Sequence, residues 1–193
     1  MTTDHSNGWE AVSDRFVAIR SPVGAALVVG WAKDHLPRSA AILDIGCGSG
    51  MPIGTALTVE GFSIWGVDAS PSLIAAFHRN LPGMPAVCEP AEGSAFFARR
   101  FVGIVSIGLI FLLDAADQRR LLANVAQALE AGGRFLFSAP REACRWKDSL
   151  TGRVSVSLGA DAYAAHLDSI GLRLAGCLSD EGGNHYYDVV TRI

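Results

Sequence analysis

Asp44 and Asp68, with Gly46, Gly48 and Gly50 between them, are the residues of this 193-residue chain whose types and spacing point most directly to chemistry. The segment Ile42-Leu43-Asp44-Ile45-Gly46-Cys47-Gly48-Ser49-Gly50 runs an apolar strand into three alternating glycines. A tight turn without Cβ atoms can take positive φ, and a ligand can then touch its main chain. Eighteen residues beyond Gly50, Phe62-Ser63-Ile64-Trp65-Gly66-Val67-Asp68 reads as a second strand ending in a carboxylate. That is the spacing at which an α/β unit sets an acid beside a ribose. Either feature alone would mean only a turn between strand and helix; together they imply a site for a nucleoside-bearing cofactor.

Ile42 to Gly50 resembles motif I of the class I S-adenosylmethionine-dependent methyltransferases, and Gly66-Val67-Asp68-Ala69-Ser70-Pro71 resembles the acidic motif that follows it. The resemblance extends through Ala91-Glu92, where that family reads adenine, through Phe101 to Leu113, its fourth strand and substrate edge, and through Leu121 to Ser138, its helix, Gly-Gly and fifth strand. It implies a Rossmann-like three-layer α/β sandwich whose seven-stranded, mainly parallel sheet ends in an antiparallel strand. It also implies S-adenosylmethionine as donor and S-adenosylhomocysteine as product; because in-line transfer from a sulfonium needs little beyond alignment, a small-molecule acceptor is expected. More narrowly, Gly48 to Ile53 looks like the Gly-Ser-Gly-x-Pro-Ile loop of a group of small bacterial members. Gly103 departs from the family, in which an Asp often begins the fourth strand, and no Asn/Asp-Pro-Pro-aromatic tetrapeptide follows Val105. The second departure argues against methylation of an amino group on adenine or glutamine.

Carried onto this chain, the resemblance implies that Asp44 accepts from the cofactor ammonium, directly or through water, while Gly46, Cys47, Gly48 and Gly50 lie under its methionine and ribose. Asp68 would take both ribose hydroxyls, Ala69 and Ser70 would border the adenine with Ala91 and Glu92, Ser106 and Ile107 would face the methionine portion, and Arg20 would pair with the carboxylate. Plainer roles fit the same residues: Asp44 capping the glycine turn, Asp68 or, better, Ser70 capping the helix begun by Pro71, Glu92 solvated in a loop, and Arg20 on the surface. Cys47 is expected to pack as a small apolar group, because no cation nearby would favour a thiolate. Phe111, Leu112, Trp146 and Tyr186 are expected to border the acceptor, with His185 as general base because imidazole titrates near neutrality. Alternation along its strand equally allows His185 and Tyr187 to be packing residues.

The elements that must hold these groups alternate. Trp9, Val12, Phe16 and Ile19 recur at helical spacing, and Leu27, Val28 and Trp31 suggest a second helix within the leading residues 1–38. Strands are expected at Ala41 to Ile45, Phe62 to Asp68, near Pro85 to Cys88, at Val102 to Ile107 and at Arg134 to Ser138, with helices at Ile53 to Glu60, Pro71 to Asn80 and Ala116 to Glu130. Such alternation gives right-handed crossovers and a sheet covered on both faces. Asp114 or Asp117 can cap the last of these helices and Gly132-Gly133 can close it. Residues 141–159 read as a polar, turn-rich insert beside the substrate. After a helix from Ala160 to Ile170, strands Leu172 to Leu178 and His185 to Thr191 form a hairpin marked by Gly182-Gly183-Asn184.

Half the residues are hydrophobic and 18% are charged, so one domain over 1–193 can bury a full core, with disorder confined to Met1 to Gly8. The longest apolar run, Val102 to Leu113, is too short to span a membrane, and no leader pattern is visible, so a cytoplasmic protein is expected, monomeric or homodimeric and without a membrane partner. With a net charge of −3 and no basic stripe, nucleic acid is not expected as a partner. Cys47, Cys88, Cys144 and Cys177 lack the spacing of a zinc site or disulfide framework, so no metal is expected. Two other functions use similar parts. A nicotinamide dehydrogenase shares the strand, loop and acid, but its Gly-x-Gly-x-x-Gly differs from Gly46-x-Gly48-x-Gly50, and Met51-Pro52 interrupts the turn. A cofactor-binding regulatory or accessory protein without transfer activity fits the same residues.

Overall fold

In the computed structural model, which describes residues 4–192, α1 (Ser13–Ile19) and α2 (Ala25–His35) precede alternating strands and helices. β1 (Ala41–Ile45), α3 (Ile53–Val59), β2 (Ser63–Asp68), α4 (Pro71–Asn80), β3 (Ala86–Cys88), β4 (Phe101–Ser106), α5 (Ala115–Ala128) and β5 (Leu129–Ser138) follow in order. A separate hairpin of β6 (Cys144–Lys147) and β7 (Val154–Ser157) leads to α6 (Ala160–Ser169), β8 (Leu172–Ser179) and β9 (His185–Thr191). The seven-stranded sheet has the order β3-β2-β1-β4-β5-β9-β8, with β9 antiparallel to both neighbours. This is the sandwich the resemblance implied.

Burial on both faces explains the near-continuous apolar strands. Ile42 points into a layer with Val28, Trp31, Leu57 and Phe77, whereas Leu43 and Ile45 point into the opposite layer with Leu121, Val125, Phe137 and Tyr163. Gly103 lies between Ile42 of β1 and Arg134 of β5, and a Cβ there would collide with the buried Leu36 side chain. The departure from the family pattern therefore has a packing reason.

Helix entries follow the sequence signals. The Ser70 hydroxyl accepts from Leu73 N at 3.2 Å, with Pro71 in the first helical position. Asp114 accepts from the backbone N–H groups of Ala116 and Asp117, both at 2.9 Å. Asp114→Ala should cost about 1 kcal/mol in urea unfolding without changing the slope. The helix exit differs from expectation: α5 stops at Ala128, and Gly132, with φ +75°, falls inside β5. Leu129 is extended, buried and already paired with Phe101 of β4, so the sheet takes over the chain before the glycines are reached.

Residues 141–159 form a hairpin rather than a loop. Gln118 holds it, donating through Nε2 to Leu113 O at 2.9 Å and Val156 O at 2.8 Å while its Oε1 accepts from the Tyr163 hydroxyl at 2.7 Å. On the opposite layer Asp188 accepts from Trp31 Nε1 at 2.9 Å and pairs with Arg134, tying α2 to the sheet.

The start of the chain is also a correction. Residues 1–3 of the segment expected to be disordered lie outside the described residues, but Asp4 to Gly8 forms a turn around the buried Ser6 hydroxyl, which donates to Asp4 and accepts from Glu10 N at 2.9 Å. Small polar residues order here through hydrogen bonds rather than apolar burial. Among the described residues no helix is long and apolar enough to cross a membrane.

Candidate functional site

The glycine loop folds back over β2: the N–H groups of Gly46 and Cys47 both donate to Val67 O, at 2.7 and 3.1 Å. Gly46 has φ +76°, and a Cβ on it would stand 2.8 Å from Leu109 Cβ, so this position requires glycine for both conformation and space. Asp68 Oδ2 accepts from Gly48 N and Oδ1 from Ser70 N, each at 2.9 Å. The carboxylate thus joins the loop to the entry of α4, yet each oxygen keeps lone-pair capacity for a ligand. Because Ser70 supplies the cap, Asp68 is not needed for it. Burial raises the Asp68 pKa, outweighing the backbone N–H groups of Ser70, Gly48 and Ala69, which hold it down.

Asp44 is 3% exposed. Desolvation lifts its pKa to about 7, opposed by Arg20 and assisted by the negative charge of Asp68. Among the described residues no loop N–H donates to Asp44, so it does not cap the turn. Arg20 leaves α1 with its guanidinium 5.4 Å from the Phe16 ring centre, and its Nε is buried without a hydrogen-bond partner. Burial lowers the Arg20 pKa while Asp44 raises it. An unpaired guanidinium N–H and a carboxylate of poised charge therefore share one cavity, matching the carboxylate and ammonium of an amino-acid group.

That cavity, a crevice of about 930 Å³ counting the solvent at its open mouth, lies at the carboxyl ends of β1, β2 and β4. Arg20, Asp44, Gly46, Cys47 and Gly48 line one end, Asp68, Ala69, Ala91 and Glu92 another, and Ile107 lies beside β4. Cys47 is buried with its pKa raised well above the usual thiol value, chiefly by desolvation, which fits a packing role. Gly50, Ser70 and Ser106 do not line the cavity: a Cβ on Gly50 would meet Leu81, Ser70 is the helix cap, and Ser106 is fully buried in β4.

Of the expected acceptor residues, Leu112 lines the cavity, whereas Phe111, Trp146, Tyr186 and His185 do not. Phe111 packs on Trp146 with ring centres 5.4 Å apart, behind the lining residues Leu112 and Leu113. Tyr186 is buried and donates to Asp180 Oδ2 at 2.8 Å, beneath the turn that starts α2. His185 packs edge-on to Tyr187 at 4.7 Å, and burial lowers its pKa. The hairpin tip does emerge at the same end of the sheet as the glycine loop, but β9 sits beyond β5, roughly 10 Å from β4 at about 4.8 Å per strand. His185 is therefore outside the cavity. The other wall is made by His5 to Asn7, Trp9 and Phe16 from the leading segment, which the sequence did not single out as a site, and by Leu109, Leu112 and Leu113 within the substrate edge that the resemblance implied. The Trp9 and Phe16 spacing was a signal, but it read as an ordinary apolar helix face.

A family model described as a methyltransferase domain matches residues 15–188. The chain belongs to this family, and its fold is that of the S-adenosylmethionine-dependent methyltransferases, with S-adenosylmethionine as the cofactor of the class. Among solved structures, the amino pentose methyltransferase CalS10 from Micromonospora echinaspora superposes with a TM-score of 0.74 at 14% identity, over 94% of this chain and 96% of that one. A TehB-like methyltransferase from Corynebacterium glutamicum gives 0.70 at 24% identity, over 98% of both chains. A curated relative, the 18S rRNA (guanine(1575)-N(7))-methyltransferase of Saccharomyces cerevisiae, is 40% identical over 113 residues, 53% of this chain. The match spans only 41% of that yeast protein.

Family membership removes the dehydrogenase alternative. The yeast relative also corrects the exclusion of nucleic acid: a related sequence serves an enzyme named for rRNA, so a mildly acidic net charge does not rule out such a partner. Net charge sums the whole surface, whereas a nucleobase meets only the wall around the transferred methyl.

Proposed function

We propose that this protein transfers a methyl group from S-adenosylmethionine to a small-molecule acceptor held in the cavity. The observation that carries this reading is the enclosure of the cavity by the leading segment. Asn7 Nδ2 donates to Leu112 O at 2.8 Å, Arg153 donates to Asn7 Oδ1 at 2.8 Å, and Glu10 accepts from Ser70 and Ser72 at the entry of α4. These bonds hold the strap across the cavity from both sides and narrow its mouth, which suits an acceptor of small size.

In this reading Arg20 and Asp44 bind the amino-acid end of the donor, Asp68 holds the ribose, and Ala69, Ala91 and Glu92 border the adenine. The bound donor supplies a methyl group made electrophilic by its sulfonium. The chain's own residues fix its position, exclude water and align the acceptor, and such alignment can supply most of the acceleration.

The test is S-adenosylhomocysteine release from S-adenosylmethionine with a panel of small amines, phenols, thiols and carboxylates, beside an RNA arm. Turnover on one small class, abolished by Asp68→Ala, is expected. Turnover on RNA alone would overturn the small-molecule reading.

A further inference from the structure

With His185 outside the cavity, the position of a general base is open. The cavity has three walls. Arg20, Asp44 and the glycine loop form one, Asp68 through Glu92 the second, and both are occupied by the donor in the function proposed above. The third is formed by His5, Asn7, Trp9, Leu109, Leu112 and Leu113. It is largely apolar, and the bond from Asn7 to Leu112 O sets the turn of His5 directly against the segment that follows β4. Among the cavity's titratable side chains, His5 is the one on this wall. Asp44 and Asp68 belong to the donor walls, as do Glu92 and Arg20, and Cys47 is held as a thiol.

The geometry points to His5 as the proton acceptor of the reaction, and to an acceptor molecule whose nucleophile arrives carrying a proton, an amine or a hydroxyl. This inference rests on the proposed methyl transfer. The nucleophile's lone pair forms the new bond to the methyl carbon as the carbon–sulfur bond breaks, leaving its electron pair on sulfur. The nucleophile's proton passes to an imidazole nitrogen of His5 and from there to water. The charged groups around the imidazole are Asp4 and Glu10 on its own segment, Arg153 beside Asn7, and Arg20, Asp44, Asp68 and Glu92 across the cavity.

Because S-adenosylmethionine carries a sulfonium and S-adenosylhomocysteine a neutral thioether, the two complexes differ by one positive charge at the point of transfer. Histidine NMR titrations of both complexes, with the His5 signal assigned by its loss in His5→Gln, read that difference directly. The His5 midpoint should lie at least about 0.5 pH units lower with S-adenosylmethionine, the size expected of a charge some 6 Å away even through water-like screening. The His185 midpoint should be the same in both. Equal His5 midpoints would overturn the assignment. If neither molecule perturbs any resonance, the donor reading itself fails, which is a distinct result. On an acceptor found in the panel above, His5→Gln should slow turnover about 100-fold with unchanged affinity for S-adenosylmethionine. Undiminished turnover would return His5 to a wall residue.

Discussion

Replacing Asp68 by Ala should weaken S-adenosylmethionine binding by about 2 kcal/mol, roughly 30-fold, in isothermal titration. In the function proposed above, two hydrogen bonds from ligand hydroxyls to a partly buried carboxylate are lost, each stronger than a neutral pair. The same carboxylate accepts from Gly48 N and Ser70 N, so part of the loss would come from a glycine loop no longer tied to α4. Asp68→Asn separates the contributions: one amide oxygen can keep a single backbone bond, so the loop persists better while the ribose contact drops by about half. Folding should change little, because Ser70 caps α4 independently. An Asp68→Ala protein with undiminished affinity and reduced stability would assign this residue to structure alone.

The second large effect is on pH. In the function proposed above, Asp44, held near pKa 7 by burial, must be ionised to receive the donor's ammonium group. Below that value binding has to expel a proton. The dissociation constant for S-adenosylmethionine should therefore rise about tenfold per pH unit below pH 7, reach roughly 100-fold at pH 5, and level off above neutrality. Asp44→Asn should bind more weakly at pH 8 and lose this slope. Without ligand the sign reverses. The folded-state pKa lies above the unfolded value near 3.8, so Asp44's contribution to stability is fully present below about pH 4 and is lost as pH rises through 7. Ligand-free and ligand-bound melting curves should diverge between pH 5 and 8. Parallel curves, or a dissociation constant that does not change with pH, would remove Asp44 from the ammonium.

Much of the fold could be read from the sequence because its signals are local. The strand Ala41 to Ile45, the helix from Pro71 to Asn80 and the hairpin around Gly182-Gly183 follow from apolar runs, a Ser-Pro start and turn glycines. Locality also limits such signals. Gly132-Gly133 reads as a helix end, but the helix yields at Leu129, where a buried side chain finds its partner on β4, a contact set by the sheet. Residues 141–159 read as a loop because their polar strands carry little apolar patterning; the ladder between β6 and β7 orders them, and Gln118, far away in sequence, anchors Val156.

The same division runs through the site. By itself the sequence determined one half of the cavity: a glycine loop and two acids at the ends of neighbouring strands, positions fixed by one strand-turn-helix unit and the strand after it. Most of the opposite wall was decided only by the tertiary structure. The sheet order carries His185 two strands away from β4, and the leading segment crosses the chain to bring His5, Trp9 and Phe16 over the cavity. No local pattern encodes which distant segments meet, because the meeting is fixed by burial and hydrogen bonds such as the one from Asn7 to the carbonyl of Leu112.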